Sequence, residues 1–555
     1  MLLRNAHAGY VLGVALTAFF VPAITHGQET DVTQTPNTSN AGIKKSLEEQ
    51  IGAGRGNIDT PNSSLYLIKR DPFRSIVRGR QLFQRKFTVA QGFGPRTGDG
   101  IGDIETDSTI GAGLVDSCAG CHGRPRGAAG FGGNVFTRPD SRDAPHLFGL
   151  GIVEMLADEI THDLRAIRDD AIDRARASGR TITRRLSSKG LLYGRITASP
   201  DGSVDTSDVE GVNADLRVRP FFHEGRTISI REFVVGELHA EMGLEAFDPD
   251  LAKAAAGEIV VTPAGMILDG SLDDIEAPPA SSESDDPDFD GVANEMPTSL
   301  IDHLEFYLLN SFKPATYQQT KRTGFGRRLF KKLRCTECHK PDLIIEHDRR
   351  VADVETRYIG GALPSGPLDM PITNGEAGTA LRSPSPDSRE QFNNLFASVR
   401  PLIEVVPGNG APPLQAPRGR SFTVKNIFAD FKRHDLGPKF WERNFDGTFT
   451  KEFMTEPLWG VGSTAPYGHD GRSINLREVI LRHGGEAQDS REAFAQLSDN
   501  KQALVIEFLQ SLVLFGPPDT PSNLDPGDPT MPNFPQEGHG SIALSVLFNN
   551  PSDQE

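Results

Sequence analysis

The chain has 555 residues but only four cysteines. That scarcity excludes a disulfide-stapled mini-domain, and a chain this long can bury a core of its own. Long apolar runs are also missing. Beyond the N-terminus no stretch approaches the ~20 residues of a spanning helix, and 37% hydrophobic residues with a mean hydropathy of −0.36 exclude a polytopic membrane protein. Net positive charge is lacking as well: 58 Lys and Arg stand against 75 Asp and Glu, for a formal charge of −17. Free nucleic acid is therefore disfavoured as a partner, and a basic or neutral one fits better. At roughly 100–200 residues per domain the length suits two to four domains, or two large ones with insertions.

What is present begins with export. Residues 1–27 carry Arg4, an apolar run from Gly9 to Ile24, and small residues at Thr25 and Gly27 ahead of Gln28. This is the layout of a cleavable secretory signal; the alternative is an uncleaved N-terminal anchor. The expected location is periplasmic or secreted, with no stable membrane insertion after cleavage. In an oxidising compartment the four cysteines should form disulfides unless other chemistry claims them.

Their spacing shows what claims them. The cysteines stand as Cys118-Ala-Gly-Cys121-His122 and Cys335-Thr-Glu-Cys338-His339. A two-residue gap followed at once by histidine is the attachment signature of c-type haem. Two thiols at that spacing reach the two vinyl groups of one porphyrin, and the adjacent imidazole becomes the proximal iron ligand. A thioredoxin-like pair needs no following histidine. A zinc site would need two pairs this far apart in sequence to converge, and vicinal disulfides would not explain histidine twice. The expected cofactors are two covalently bound haem c groups, held by Cys118, Cys121 and His122 and by Cys335, Cys338 and His339.

The flanks repeat. Gly79-Arg80-Gln81-Leu82-Phe83 precedes the first pair and Gly326-Arg327-Arg328-Leu329-Phe330 the second. Later, Phe222-His223-Glu224-Gly225-Arg226 is answered by Gly468-His469-Asp470-Gly471-Arg472, each leading to Arg-Glu at 231–232 and 477–478. Two ordered matches per half argue for a duplicated unit. The expected fold is mainly α, with two duplicated cytochrome-c-like haem domains carrying loop-rich and short β insertions. The divisions are a signal at 1–27, a disordered arm at 28–57, an N-terminal haem domain at 58–257 and an acidic linker at 258–297. A C-terminal haem domain at 298–515 and a Pro-rich tail at 516–555 follow. Residues 153–178 read as a long helix whose alternating Arg and Asp form a solvated face, and 349–420 as a surface insertion.

Duplication allows the sides opposite the proximal histidines to be compared. An apolar-periodic helix, Leu476, Val479, Ile480, ends at His483; the first-half counterpart, eleven residues after Arg226, is Glu237. By periodicity alone His483 is more simply a core histidine. As a ligand it would close one haem and suit it to electron transfer, whereas a carboxylate leaves the other open to peroxide or oxygen. Phe233, Glu237 and Glu241 recur every four residues on one helix face, where a carboxylate can shuttle the proton that O–O cleavage needs. Between the halves, Asp286-Pro-Asp288-Phe-Asp290-Gly291 opens like a calcium loop, although position 12 is Pro297 and Glu295 would have to replace the usual glutamate. An acidic linker accounts for the same residues.

These motifs together resemble the dihaem cytochrome c peroxidase superfamily, and within it the dihaem oxidoreductase branch. The matching stretches include Ser117–His122, Arg142-Asp143-Ala144-Pro145-His146-Leu147-Phe148-Gly149-Leu150-Gly151 and Glu241-Met242-Gly243. Further ones are His434-Asp435-Leu436-Gly437, Pro457-Leu458-Trp459-Gly460, His469–Arg472 and His483-Gly484-Gly485-Glu486-Ala487. The resemblance implies that His483 is the sixth ligand of the second haem, where relatives carry Met or Tyr, and that Glu241 is the distal acid of the first. It also implies two departures. Phe233 replaces a glutamine, and a phenyl ring cannot donate a hydrogen bond to peroxide. His223 replaces an inter-haem tryptophan, a place that Trp459 or Trp441 would have to fill. Rubber-cleaving dihaem oxygenases are similar in having a Phe-bearing pocket, and dihaem peroxidases in holding calcium between their haem domains.

Three functions stay open on the sequence: a peroxidase-like enzyme, an oxygenase acting on a hydrophobic substrate, and a non-enzymatic electron carrier. The expected partners are a small electron-donor protein or redox mediator, and peroxide or oxygen. The "thiol oxidoreductase" label used in this branch finds no spare thiol here.

Overall fold

The computed structural model describes residues 46–85, 87, 117–118, 122, 143–287, 291–311, 315–316, 320–351, 353–355, 394–396, 421–444, 446–462 and 464–513. Among the described residues 39% are helical, with few, short strands. The helices are α1 (Leu47–Ile51), α2 (Ser64–Arg70), α3 (Pro72–Gln84), α4 (Leu150–Ser178), α5 (Ile230–Ala240) and α6 (Pro249–Ala255). They continue with α7 (Thr298–Leu309), α8 (Lys321–Lys332), α9 (Leu476–Arg482), α10 (Gln488–Ala495) and α11 (Asp499–Gln510). Strands β1 (Ile182–Ser188), β2 (Leu191–Ala198) and β3 (Val204–Asp205) form an antiparallel meander, and the other strands pair two by two.

Two helix crossings organise the fold around two hydrophobic cores. In the larger core α3 packs on α7, and in the smaller α8 packs on α11 through Phe330, Val505 and Phe508, with Phe494 of α10 beside them. Both crossings depend on a glycine from the repeated Gly-Arg motif. A Cβ on Gly79 would overlap the carbonyl oxygen of His303 and the Cβ of Tyr307; one on Gly326 would overlap the Leu504 carbonyl and Phe508. Alanine at either position should therefore cost stability. Overpacking of about 1–3 kcal/mol outweighs the ~1 kcal/mol gained in helix propensity. Chemical denaturation of G79A and G326A checks this, and unchanged midpoints would show that the helices slide apart freely.

The described parts correct several expectations. Residues 46–57, assigned to a disordered arm, fold: Ser46 and Glu49 make a capping box for α1, Leu47 is buried, and Gln50 bonds to Gln81 on α3. The acidic segment from 258 is not a bare linker. Strands β4 (Ile259–Val261) and β5 (Ile267–Asp269) form a hairpin that seats Met266 and Leu268 in the larger core. Helix α7, placed at the start of the C-terminal domain, packs into that same core because ten of its residues, from Ser299 to Leu309, are buried against α3 and α5. The long helix α4 is confirmed, but its first half is not a solvated face. Glu154 pairs with Arg349, and Arg165 with Asp273, all of them shielded by the fold. The signal at 1–27, the tail at 516–555 and most of 349–420 lie outside the described residues. No helix among those described is long and apolar enough to cross a membrane.

Candidate functional site

The two Cys-His turns are built alike. His122 N–H donates to the Cys118 carbonyl and His339 N–H to the Cys335 carbonyl, both at 3.0 Å. Each turn thus closes as one helical turn that places thiol and imidazole on one side. In each, the phenylalanine of the preceding repeat packs on the histidine: Phe83 lies 6.2 Å from His122 and Phe330 lies 6.1 Å from His339, centroid to centroid. The Nδ1 of His122 reaches the Pro145 carbonyl at 2.7 Å, and that of His339 the Phe428 carbonyl at 3.1 Å. A carbonyl can only accept, so Nδ1 carries the hydrogen and Nε2 keeps its lone pair, the tautomer a metal-binding histidine needs. Burial pushes both imidazoles down to about 4 despite those carbonyls, so both are neutral. Cys118, Cys335 and Cys338 form no disulfide; Cys121 lies outside the described residues. Burial pushes the Cys118 and Cys335 thiols up to about 12, which removes any reactive thiolate.

Two further helices, α5 and α9, line the same cavity as the Cys-His turns, and they start alike too. Ser229 caps α5 by accepting from Glu232 N–H, and Asn475 caps α9 by accepting from Glu478 N–H. The two glutamates reach back to the N–H groups of Ile228 and Ile474. A matching bridge pairs Phe221 with Thr227 and Tyr467 with Ser473 in the turns just before. This geometry sets Glu237 and His483 at equivalent places. His483 sits at the C-terminal cap of α9, where its Nδ1 donates to the Val479 carbonyl at 2.7 Å and again leaves Nε2 free. Burial, and then Arg482, lower its basicity.

One cavity of about 720 Å³ joins these parts. His122, His339 and His483 line it, as do Phe233, Glu237 and Glu241, so the structure brings every sequence-predicted histidine and distal residue to a single space. Its volume falls in the range of cofactor sites. On the α5 side Phe233 meets Phe221 at 6.0 Å and Phe222 at 5.5 Å, so the wall there is aromatic and apolar. Glu241 is the C-cap of α5 and lies one turn from Glu237. Trp459 lines the cavity. Trp441 is not among the lining residues; its indole donates to Asp435 and Lys451 lies over its ring.

Several site residues escaped the sequence reading. The carbonyls of Pro145 and Phe428, which fix the rings of His122 and His339, carry no side-chain signal. His434 is flanked by Glu486 at Nδ1 (2.8 Å) and Asp430 at Nε2 (3.0 Å). Burial alone would lower it, yet the bond to Asp430 and the neighbouring Cys338 bring it up to about 11. Cys338, Asp430 and His434 stand close enough together to hold a metal ion, but both ring nitrogens of His434 already meet carboxylates. His434 instead joins two motifs, since Glu486 also accepts from Asp435 N–H and Gly484 N–H donates to the Leu436 carbonyl. Gly485 is obligatory there: its φ is +49° and a Cβ would strike the Asp435 carbonyl. In the calcium-like loop, Asp286 accepts from Gly291 N–H and Glu295 from Glu245 N–H. Asp288 and Asp290 lie outside the described residues.

Comparison with known proteins bears on this geometry at its C-terminal side. A comparison with curated proteins gave no match. Among solved structures the chain is similar to a hydrazine synthase of Kuenenia stuttgartiensis pressurised with xenon, at 13% identity and a TM-score of 0.29, over 86% of this chain and 98% of that one. That score is too low to bear on the fold. The model of the family described as "Di-haem oxidoreductase, putative peroxidase" matches residues 408–512. The matched region contains His434, Trp459, His469 and His483, though neither Cys-His turn. Over that region the chain is similar to the family that its motifs resemble.

Proposed function

We propose that the protein is an exported dihaem c-type oxidoreductase of peroxidase-like activity, built from two duplicated haem domains. The observation that carries this reading is the set of three half-buried histidines around one cavity, each with Nδ1 tied to a backbone carbonyl and Nε2 available. Cys118 and Cys121 would hold one haem c and Cys335 and Cys338 the other, with His122 and His339 as proximal ligands. Two haem groups held by these residues would supply the electron storage and a Lewis acid for peroxide.

The residues divide the work. His339 and His483 approach from opposite elements and would close the second site for electron transfer. Glu237 and Glu241 would supply carboxylates at the first site, to take up and return the proton that O–O cleavage needs. Phe221, Phe222 and Phe233 exclude water and offer no hydrogen bond. This last feature favours a second reading, an oxygenase with a hydrophobic substrate, because an apolar pocket suits oxygen better than peroxide. Electrons would come from a small donor protein or mediator. Calcium, if bound between the halves, would use Asp286, Asp288, Asp290 and Glu295.

Optical and spin-state spectra of the as-isolated protein, with and without hydrogen peroxide, test the reading. One high-spin component that responds to peroxide is expected. A stable oxygen complex of the reduced protein without a peroxide response would favour the oxygenase. Two low-spin irons indifferent to both would leave an electron carrier. Substituting His483→Ala should convert one low-spin component to high-spin, and an unchanged spectrum would remove His483 as a ligand.

A further inference from the structure

Residues 143–146 form a short strut in the cavity wall. Within four residues, the Pro145 carbonyl holds His122 and the His146 Nε2 donates to the Trp459 carbonyl at 3.0 Å. Asp143 is clasped from both repeats at once. Its carbonyl accepts from His223 Nε2 at 3.2 Å, and its N–H donates to the His469 carbonyl at 2.8 Å. His223 and His469 occupy the same place in the two repeated turns, and their rings meet at 6.0 Å. The Asp143 main chain is thus held between the halves, with its side chain on the cavity wall and one carboxyl oxygen, Oδ1, buried without a hydrogen-bond partner.

We propose that Asp143 is the proton-accepting group of this cavity, taking up a proton from solvent when a haem iron beside it is reduced. The inference rests on the dihaem reading above. An electron from the reduced donor protein adds one negative charge to the iron site, and one proton converts the Asp143 carboxylate to the neutral acid, so charge is conserved across the wall. The groups facing the carboxyl are few. The His223 ring, whose Nδ1 and Nε2 both meet acceptors (Glu456 and the Asp143 carbonyl), favours the carboxylate. Asp470, from the turn of the second repeat, opposes it, although Arg482 holds one Asp470 oxygen at 2.6 Å and Arg472 lies 3.5 Å from the other. His469 lies 3.6 Å from Glu442 and contributes its main chain. Burial, against His223 and together with Asp470, brings Asp143 up to about 7, where a small change of charge nearby shifts its protonation.

The test is a spectroelectrochemical titration of the haem-loaded protein as a function of pH. In the wild type the midpoint potential of one haem should fall as pH rises between about pH 6 and pH 8. Asp143→Asn, which keeps the main-chain bonds, should flatten that dependence, and Asp143→Glu should retain it. An Asp143→Asn protein that titrates like the wild type overturns the proposal. If the variant does not fold, redox-difference infrared spectra of the wild type labelled with 13C-aspartate decide. Reduction should add a label-sensitive band of a protonated carboxyl, and its absence overturns the proposal. Failure of the dihaem reading is distinct, because it would appear as absent haem or as irons indifferent to peroxide and oxygen.

Discussion

Arg231→Met is expected to destabilise the protein by about 3–5 kcal/mol, the cost of leaving buried charges uncompensated. Arg231 is fully buried in the first turn of α5 and bonds Asp248 through both arms of its guanidinium, at 2.9 and 2.6 Å. It also bonds Asp302 at 3.0 Å and Glu305 at 2.7 Å, both on α7. Arg55 shares the cluster through Asp250 and Asp302, while Ser64 and Thr262 occupy remaining carboxylate oxygens. Burial pushes Asp302 and Glu305 upward against the pull of Arg231, so its removal would force them to bind protons or admit water. Lysine should recover only part of the loss, because a point charge cannot reproduce the two-armed bond. Denaturant midpoints of wild type, Arg231→Met and Arg231→Lys check the order. A Met variant as stable as the wild type would mean that the cluster relaxes without cost. The same arginine anchors the helix bearing Phe233, Glu237 and Glu241, so the loss should reach the cavity as well.

The site was legible where chemistry is local in sequence. Cysteine spacing with a following histidine fixes a covalent geometry within one turn, and the repeated turns at 222–226 and 468–472 led from Arg226 and Arg472 to Glu237 and His483. The fold was less legible where partners are remote. Nothing near Glu154 or Arg165 reveals Arg349 or Asp273, so a buried ion network read as a solvated helix face. Composition placed a boundary before α7, yet that helix completes the larger core because Gly79 opens a groove for it. The crossing is itself repeated: Gly79 meets His303 and Tyr307 at the same four-residue spacing at which Gly326 meets Leu504 and Phe508. Asp143 gave no sign of its place, since its main chain is held by the His223 ring and the His469 carbonyl, brought in by two distant turns.

Removing one attachment pair should remove one haem and leave the other. Serine cannot form the thioether, so Cys335→Ser with Cys338→Ser is expected to lower covalent haem from two to one per chain, measured as the pyridine haemochrome of denatured protein. Cys118→Ser with Cys121→Ser should do the same. The two variants should differ in what survives. Loss of the first pair should abolish the peroxide-responsive signal, whereas loss of the second should keep that signal and remove the low-spin component assigned to His339 and His483. Stability should fall in both, because a group that binds only the folded state contributes its binding free energy to folding. In the second variant the exposed wall would include Phe330 and Leu458, which belong to or pack against the smaller core. A pair variant that keeps two covalent haems would show that the Cys-His turns are not the attachment sites. Equal loss of the peroxide signal from both would show instead that the first site depends on the second for its open state, and the division of labour between Glu237 and His483 would then belong to the cavity as a whole.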